Sequence, residues 1–129
     1  QNISSWNTSS ATNMYRMFYN CNNFDQPIGS WDVGNVTNME SMFQLATDFD
    51  QNLSAWDLSS ITNMASFMSN RTHLQFSSTN YDNLLYACLQ GGQLNVTLGM
   101  GTIKYTVSGQ ARRNTLISRG WTITDGGLV

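Results

Sequence analysis

Two pairs of aspartates recur at a fixed spacing, Asp25 with Asp50 and Asp32 with Asp57, each pair 25 residues apart. Paired carboxylates can carry out general acid–base catalysis, or they can bind calcium through oxygen ligands. A repeated sequence duplicates every residue, however, so duplicated carboxylates say little about catalysis. The chain also lacks the D-x-D-x-D-G pattern of a calcium loop. We interpret the four carboxylates as structural or solvated, with weak calcium binding as the open alternative.

Other residues with reactive side chains are isolated in the sequence. His73 is the single histidine, and neither a second histidine nor a closely spaced cysteine pair offers zinc-ligand spacing. The chain contains neither a G-x-S-x-G element nor a phosphate-binding loop. We therefore predict a protein that is not an enzyme, with no catalytic residue, no metal ligand and no cofactor.

Charge is scarce along the whole chain. Only 11% of the residues are charged, and the formal net charge is −2. Arg112 and Arg113 form the only adjacent basic pair, whereas a surface that tracks phosphates needs several clustered cations. No apolar run approaches the roughly 20 residues that span a bilayer. We expect neither a nucleic-acid partner nor direct membrane insertion.

A 25-residue repeat organises the first part of the chain. Tryptophan, methionine, threonine–asparagine and phenylalanine or leucine positions each recur three times in one register. Because Gln1 falls inside a repeat, we expect a monomeric segment of a longer exported chain. The recurring positions are Trp6, Trp31 and Trp56; Met14, Met39 and Met64; Thr12-Asn13, Thr37-Asn38 and Thr62-Asn63; and Phe24, Phe49 and Leu74.

Each unit combines two periodicities. Trp31 and Val33 alternate with polar residues, which is typical of a short half-buried strand. A helical apolar face follows, with Thr37 as the predicted N-cap and Glu40 completing a capping box. That face consists of Met39, Met42, Phe43 and Ala46.

Neither element is stable alone, and stacking the units would bury their apolar columns. The repeat thus predicts an α/β solenoid, a stack of short parallel strands and short helices. Residues 1–76 form three repeats, the first truncated, and residues 77–129 form irregular C-terminal repeats or a cap of the same single domain. We place helices near residues 79–91 and 108–120, with short strands between and after them.

The motif F-x-Q-x-[IL]-x-x-W-D-[VL]-x-x-[VI]-T-N-M-x-x-M-F, read from Phe24 to Phe43 and again from Phe49 to Met68, resembles the BspA-like repeats of bacterial surface proteins. Those repeats are related to leucine-rich repeats. The resemblance implies a leucine-rich-repeat-like solenoid in a secreted or cell-surface, adhesin-like protein. It also implies binding to a host or to a neighbouring cell.

Residues between the inward positions of the predicted strands should point outward. This places Ser5, Ser30 and Ala55 in one column, and Asn7, Asp32 and Asp57 in the next. We predict these six residues to be the binding face for a protein, a peptide or a glycan. The alternative is a structural spacer or capping segment of a large surface protein, with no ligand of its own.

Overall fold

The computed structural model describes residues 2–129. Its regular elements are two helices and a two-stranded parallel sheet, all within the C-terminal part of the chain. Among the described residues, no helix is both long enough and apolar enough to cross a bilayer. The elements are α1 (Ser78–Gly91), β1 (Thr97–Gly99), α2 (Val107–Ser118) and β2 (Thr122–Thr124). In the sheet, Thr97 pairs with Thr122, Leu98 with Ile123 and Gly99 with Thr124.

The predicted α/β solenoid, a leucine-rich-repeat-like stack of short parallel strands and short helices, is wrong. Residues 2–76 contain no helix and no strand, and they consist of turns and loops with isolated single-residue pairings. The helices and strands that do form lie in residues 78–124, where irregular C-terminal capping units were predicted.

The predicted repeat helices fail because their backbone is left-handed at regular intervals. Ser41 and Leu45 have φ values of 58° and 64°, which an α-helix of L-residues cannot contain. Their counterparts 25 residues away adopt the same conformation: Arg16 and Asn20 before them, Ser66 and Asn70 after them.

Hydrogen bonding of the same segment also differs from that of a helix. The N–H of Ser41 donates to the carbonyl oxygen of Ala65 at 3.0 Å, so it leaves its own segment. Thr37 does not act as an N-cap, because its hydroxyl donates to the carbonyl oxygen of Thr12 at 3.2 Å. The turn is instead closed by the side-chain oxygen of Asn38, which accepts from the N–H of Glu40 at 2.9 Å.

The predicted repeat strands are absent for a related reason. The N–H of Trp31 donates to the carbonyl oxygen of Ile28 at 3.0 Å, and the N–H of Val36 donates to that of Val33 at 3.0 Å. Such bonds three residues apart define tight turns. Parallel pairing between neighbouring units is confined to single residues, with Asn13 opposite Asn38 and Asn38 opposite Asn63.

The apolar columns of the repeat nevertheless form the hydrophobic core, as predicted. Met14, Met39 and Met64 are buried, as are Trp31 and Trp56. In the tryptophan column Trp6 is the exception, with half of its surface exposed. The periodicity of the sequence therefore identifies most inward residues correctly, even though it predicts the wrong backbone.

The third unit departs from the 25-residue register. Leu74, which the alignment places beside Phe24 and Phe49, is 86% exposed. Phe76 is fully buried instead, with its ring 6.4 Å from that of Phe49 and the two planes 8° apart. Two additional residues therefore precede the third aromatic position.

The C-terminal helices begin one or two residues before the predicted starts. Ser77 caps α1 by accepting from the N–H of Asn80, and Gly92 ends that helix in the left-handed conformation. Thr106, rather than Ser108, caps α2. The carboxylate of Asp82, buried on α1, accepts from the N–H and hydroxyl of Thr106, so it fixes the start of α2 against α1.

Candidate functional site

The six residues predicted to form the binding face are all exposed in the structure. Each lies in a turn or loop, not on a strand, so the face is not the exposed side of a sheet. The residues are Ser5, Asn7, Ser30, Asp32, Ala55 and Asp57.

One member of the face in each unit closes the same kind of turn. A side-chain oxygen of Asp32 accepts from the N–H of Gly34 at 3.0 Å, and Asp57 accepts from Ser59 at 2.9 Å. Asn7 accepts from the N–H of Ser9 at 3.1 Å in the first unit. Short carboxylate and amide side chains stabilise turns in this way, so these positions have a structural role besides any binding role.

The two carboxylates of the face both lie close to Gly34. A Cβ atom at Gly34 would be 3.2 Å from Oδ2 of Asp57 and 3.3 Å from Oδ1 of Asp32. Ser9 and Ser59 occupy the corresponding positions 25 residues away. A side chain at position 34 would therefore crowd both carboxylates, and glycine avoids that contact.

One oxygen of each carboxylate has no partner among the described residues. Oδ1 of Asp32 and Oδ1 of Asp57 accept the turn hydrogen bonds, and Oδ2 of each accepts none. Hydrogen bonds from Ser59 hold the pKa of Asp57 below its usual value, although partial burial opposes them. Asp57 is therefore ionised at neutral pH and presents a negatively charged acceptor.

The chemistry open to this face is hydrogen-bond acceptance. Its side chains offer carboxylate, amide and hydroxyl oxygens, which suit ligands that carry N–H or O–H donors. In residues 2–129, no group of three or more histidine, cysteine or acidic side chains is placed to hold a metal ion.

A concave region lies around the other repeated aspartate pair. It is an open pocket of about 660 Å³. Sequence reasoning singled out the repeated aspartates and Leu74, the last as a predicted core position, but neither Asp48 nor Gln75, because neither of these recurs at the 25-residue spacing. The lining residues are Asp25, Thr47, Asp48, Asp50, Leu74 and Gln75.

The repeated aspartates of this pocket link neighbouring units. Oδ1 of Asp25 accepts from the N–H of Asp50 at 3.0 Å and from the side-chain amide of Gln51 at 2.7 Å. Oδ1 of Asp50 accepts from the N–H of Ser77 at 3.0 Å and from the amide of Asn80 at 2.8 Å. Their recurrence at this spacing thus has a structural explanation.

A buried arginine that no sequence pattern indicates lies close to this pocket. The guanidinium of Arg71 donates to the carbonyl oxygens of Phe49 and Gln75 at 2.5 and 2.6 Å. Burial lowers its pKa to about 10, and the charges of Asp50, Asp25 and Asp48 oppose that shift. Arg71 is therefore a cation at neutral pH that fastens the end of the third unit.

Two tyrosines of the C-terminal part, Tyr81 and Tyr105, are buried with their ring centroids 6.2 Å apart, whereas Tyr86 is exposed. Tyr81 is buried and donates its hydroxyl to Asp125 at 2.6 Å, and Asp125 also pairs with Arg113 at 2.7 Å. Burial raises the pKa of Tyr81 well above its usual value, and the charge of Asp125 adds to the effect. This cluster joins α1, α2 and the segment after β2, so it is structural.

Comparison with known proteins assigns the chain to a family of repeat proteins. The model of the family described as "Mycoplasma protein of unknown function, DUF285" matches residues 1–83. The chain belongs to this family. No curated protein and no solved structure matches the chain.

Proposed function

We propose that this chain is a non-enzymatic, ligand-binding segment of a secreted or cell-surface, adhesin-like protein. Its ligand is a protein, a peptide or a glycan on a host cell or a neighbouring cell. The ligand binds through the exposed face of Ser5, Asn7, Ser30, Asp32, Ala55 and Asp57. Membership of a repeat family supports the general class, and the resemblance of the W-D-V and T-N-M motifs to BspA-like repeats supports the adhesin-like role.

The observation that carries this proposal is the geometry at Gly34. Oδ2 of Asp57 and Oδ1 of Asp32 both lie close to the position that a Cβ atom at Gly34 would take, and Oδ2 of each carboxylate stays outside the turn hydrogen bonds. A ligand hydroxyl or N–H can therefore approach two neighbouring carboxylates where no side chain at position 34 intervenes. Charge-assisted hydrogen bonds of this kind are about twice as strong as neutral ones.

Replacement of both carboxylates by asparagine tests the proposal. D32N/D57N keeps the turn acceptors and removes the charge, so folding should survive. The wild-type protein is first screened on glycan and peptide arrays, and the variant is then measured against the ligands found. We expect binding to weaken by about tenfold or more, in line with about 1.5–3 kcal/mol for a hydrogen bond to a charged group.

D48N is the matched control, because Asp48 is an exposed carboxylate in the pocket rather than on this face. The control should bind as the wild type does. Equal binding by D32N/D57N and the wild type would exclude the face. Selective weakening by D48N would assign the ligand to the pocket.

The second candidate function is a structural spacer or capping segment without a ligand. The observation in its favour is that Asn7, Asp32 and Asp57 already close turns within their own units. A spacer would bind nothing on the arrays, and D32N/D57N would then alter only the stability of the fold.

A further inference from the structure

Gly34 distinguishes the second unit from its neighbours on the proposed binding face. The corresponding residues are Ser9 in the first unit and Ser59 in the third. The hydroxyl of Ser9 donates to Oδ1 of Asn7 at 2.7 Å, and the side chain of Ser59 hydrogen-bonds to the carboxylate of Asp57. The aspartate of the second unit has only a backbone donor at this point, because glycine brings no hydroxyl.

The backbone does not require a glycine at position 34. Gly34 lies outside the left-handed region that favours glycine, and serine occupies both corresponding positions. The atoms nearest to a Cβ atom at this position are Oδ2 of Asp57 at 3.2 Å and Oδ1 of Asp32 at 3.3 Å. The glycine therefore governs access to the two carboxylates rather than the course of the turn.

The charges of these two carboxylates are not neutralised within the described part of the chain. Asp32 and Asp57 are exposed, and the ion pair that residues 2–129 do form joins Arg113 to Asp125. Oδ1 of Asp32 and Oδ2 of Asp57 each lie within 3.3 Å of one point, so they are at most about twice that distance apart. Like charges this close repel each other, and a cation bound between them relieves the repulsion.

The surrounding repeats add to the negative potential of the face. Residues 1–76 contain six acidic residues and two basic ones. Of the basic residues, Arg71 is buried with its guanidinium bonded to two backbone carbonyls, and Arg16 lies over the rings of Tyr15 and Tyr19. A potential of this sign attracts a cationic ligand and repels an anionic one.

From these observations we infer that Gly34 is the specificity-determining residue of the binding face, and that the group bound beside it is an arginine side chain of a partner protein. The inference rests on the proposed function and names the ligand of the same face. The guanidinium donates to Asp32 and to Asp57 at once. It takes the place that serine side chains occupy in the first and third units.

The chemistry of the face favours a guanidinium over other donors. Its N–H donors lie in one plane and diverge, so one group can bond to two separate carboxylates. An ammonium nitrogen midway between the two oxygens would lie as much as 3.3 Å from each, beyond the roughly 2.7–2.9 Å of strong bonds to carboxylates. Neutral sugar hydroxyls would leave both charges uncompensated.

Matched peptides test the inference. The full chain is screened on an array of peptides in sets of three, which differ only by arginine, lysine or citrulline at one position. Citrulline keeps the shape of arginine and lacks its charge. Dissociation constants of the best sets, measured by isothermal titration calorimetry, should be about tenfold or more lower for arginine than for citrulline. The difference should shrink as salt is added.

The variant G34S tests the role of the glycine. It should fold as the wild type does, since serine fits both corresponding positions. Its Cβ atom crowds the two carboxylates and its hydroxyl can donate to Asp32, so arginine peptides should bind about tenfold more weakly and lose their advantage over citrulline. S59G, which removes a hydroxyl from the third unit, is the matched control and should keep the arginine preference.

Three results would overturn the inference: no arginine peptide bound at millimolar concentration, equal affinity for arginine and citrulline, or an arginine preference that G34S retains. A purely structural role for Gly34 would give the last of these, together with a lower urea midpoint for G34S. If the arrays yield only glycans or neutral peptides, and D32N/D57N weakens their binding, the inference fails while the proposed function stands. If D32N/D57N binds every ligand found as the wild type does, the proposed binding face itself is excluded.

Discussion

Trp31 donates its indole N–H to the backbone carbonyl oxygen of Ile3, 28 residues earlier, at 3.0 Å. Trp56 makes the same bond to Ile28, and Trp121 makes it to Gln93 at 2.8 Å, each again 28 residues earlier. The same tryptophan bond therefore recurs in the C-terminal part, beyond residue 76, where the sequence motif ends. The tryptophans thus both fill the core and satisfy carbonyls that the absence of strands leaves open.

Trp31→Ala should lower the free energy of unfolding by about 3–5 kcal/mol, because it leaves a cavity and removes a buried donor. Trp6→Ala should lower it by about 1 kcal/mol or less, since half of the ring is already exposed. Urea denaturation followed by circular dichroism measures both. Equal losses for the two variants would contradict the burial difference.

Phe76→Ala should destabilise the fold by about 3–5 kcal/mol, whereas Leu74→Ala should change the free energy of unfolding by less than about 0.5 kcal/mol. Phe76 is fully buried and Leu74 is 86% exposed. The pair therefore tests the two-residue shift of the third unit. A larger effect of Leu74→Ala in thermal and urea unfolding would restore the simple 25-residue register.

Gly109→Ala should destabilise the protein by about 1–3 kcal/mol through overpacking. A Cβ atom there would overlap the carboxylate of Asp82, which its bonds to Thr106 hold in place. The better helix propensity of alanine returns only about 1 kcal/mol. Gln110→Ala, the neighbouring change in α2, is the control and should leave the free energy of unfolding nearly unchanged. If Gly109→Ala also left it unchanged, α1 and α2 would be able to move apart to admit the Cβ atom.

Alkaline pH should weaken the fold through Cys88. Burial raises the pKa of its thiol from 9.0 to about 12, so the folded state holds a proton that the unfolded state releases. The contribution of this proton to the free energy of unfolding is fully present below about pH 9 and is lost as the pH rises towards 12. At pH 10.5 the loss is about 2 kcal/mol.

Cys88→Ala should therefore show a shallower fall in stability between pH 8 and pH 10.5 than the wild type. Part of the fall should persist, because the raised pKa of Tyr81 acts in the same direction. Cys21→Ala is the control, since Cys21 is exposed. Urea midpoints measured at pH 8 and pH 10.5 test this prediction. An equal fall in the midpoint for the wild type, Cys88→Ala and Cys21→Ala would contradict the role of Cys88.

The core could be predicted from the sequence because burial depends on which residues recur, and recurrence is visible. Met39, Phe43 and Trp56 were correctly placed inside for this reason. The helices α1 and α2 were also predictable, since each has an apolar stripe and a local cap. These features depend on neighbours within a few residues.

The backbone of residues 2–76 could not be predicted in this way. Spacing of i, i+3, i+4 and i+7 predicted a helix over Met39–Ala46, but nothing local marks Ser41 and Leu45 as left-handed. Their conformation depends on hydrogen bonds to residues about 25 positions away. The close approach of both carboxylates to Gly34 was likewise invisible, because it depends on the relative positions of Asp32 and Asp57 in space.

The left-handed residues have a consequence for the order of folding. The left-handed conformation costs most non-glycine residues roughly 1–2 kcal/mol locally, and asparagine less. Six non-glycine residues adopt it in the first three units: Arg16, Asn20, Ser41, Leu45, Ser66 and Asn70. No isolated unit can recover that energy, because the compensating bonds come from its neighbours. Structure should thus begin where contacts are local, in α1 and α2, and the rest should follow late through a slow, topology-limited step.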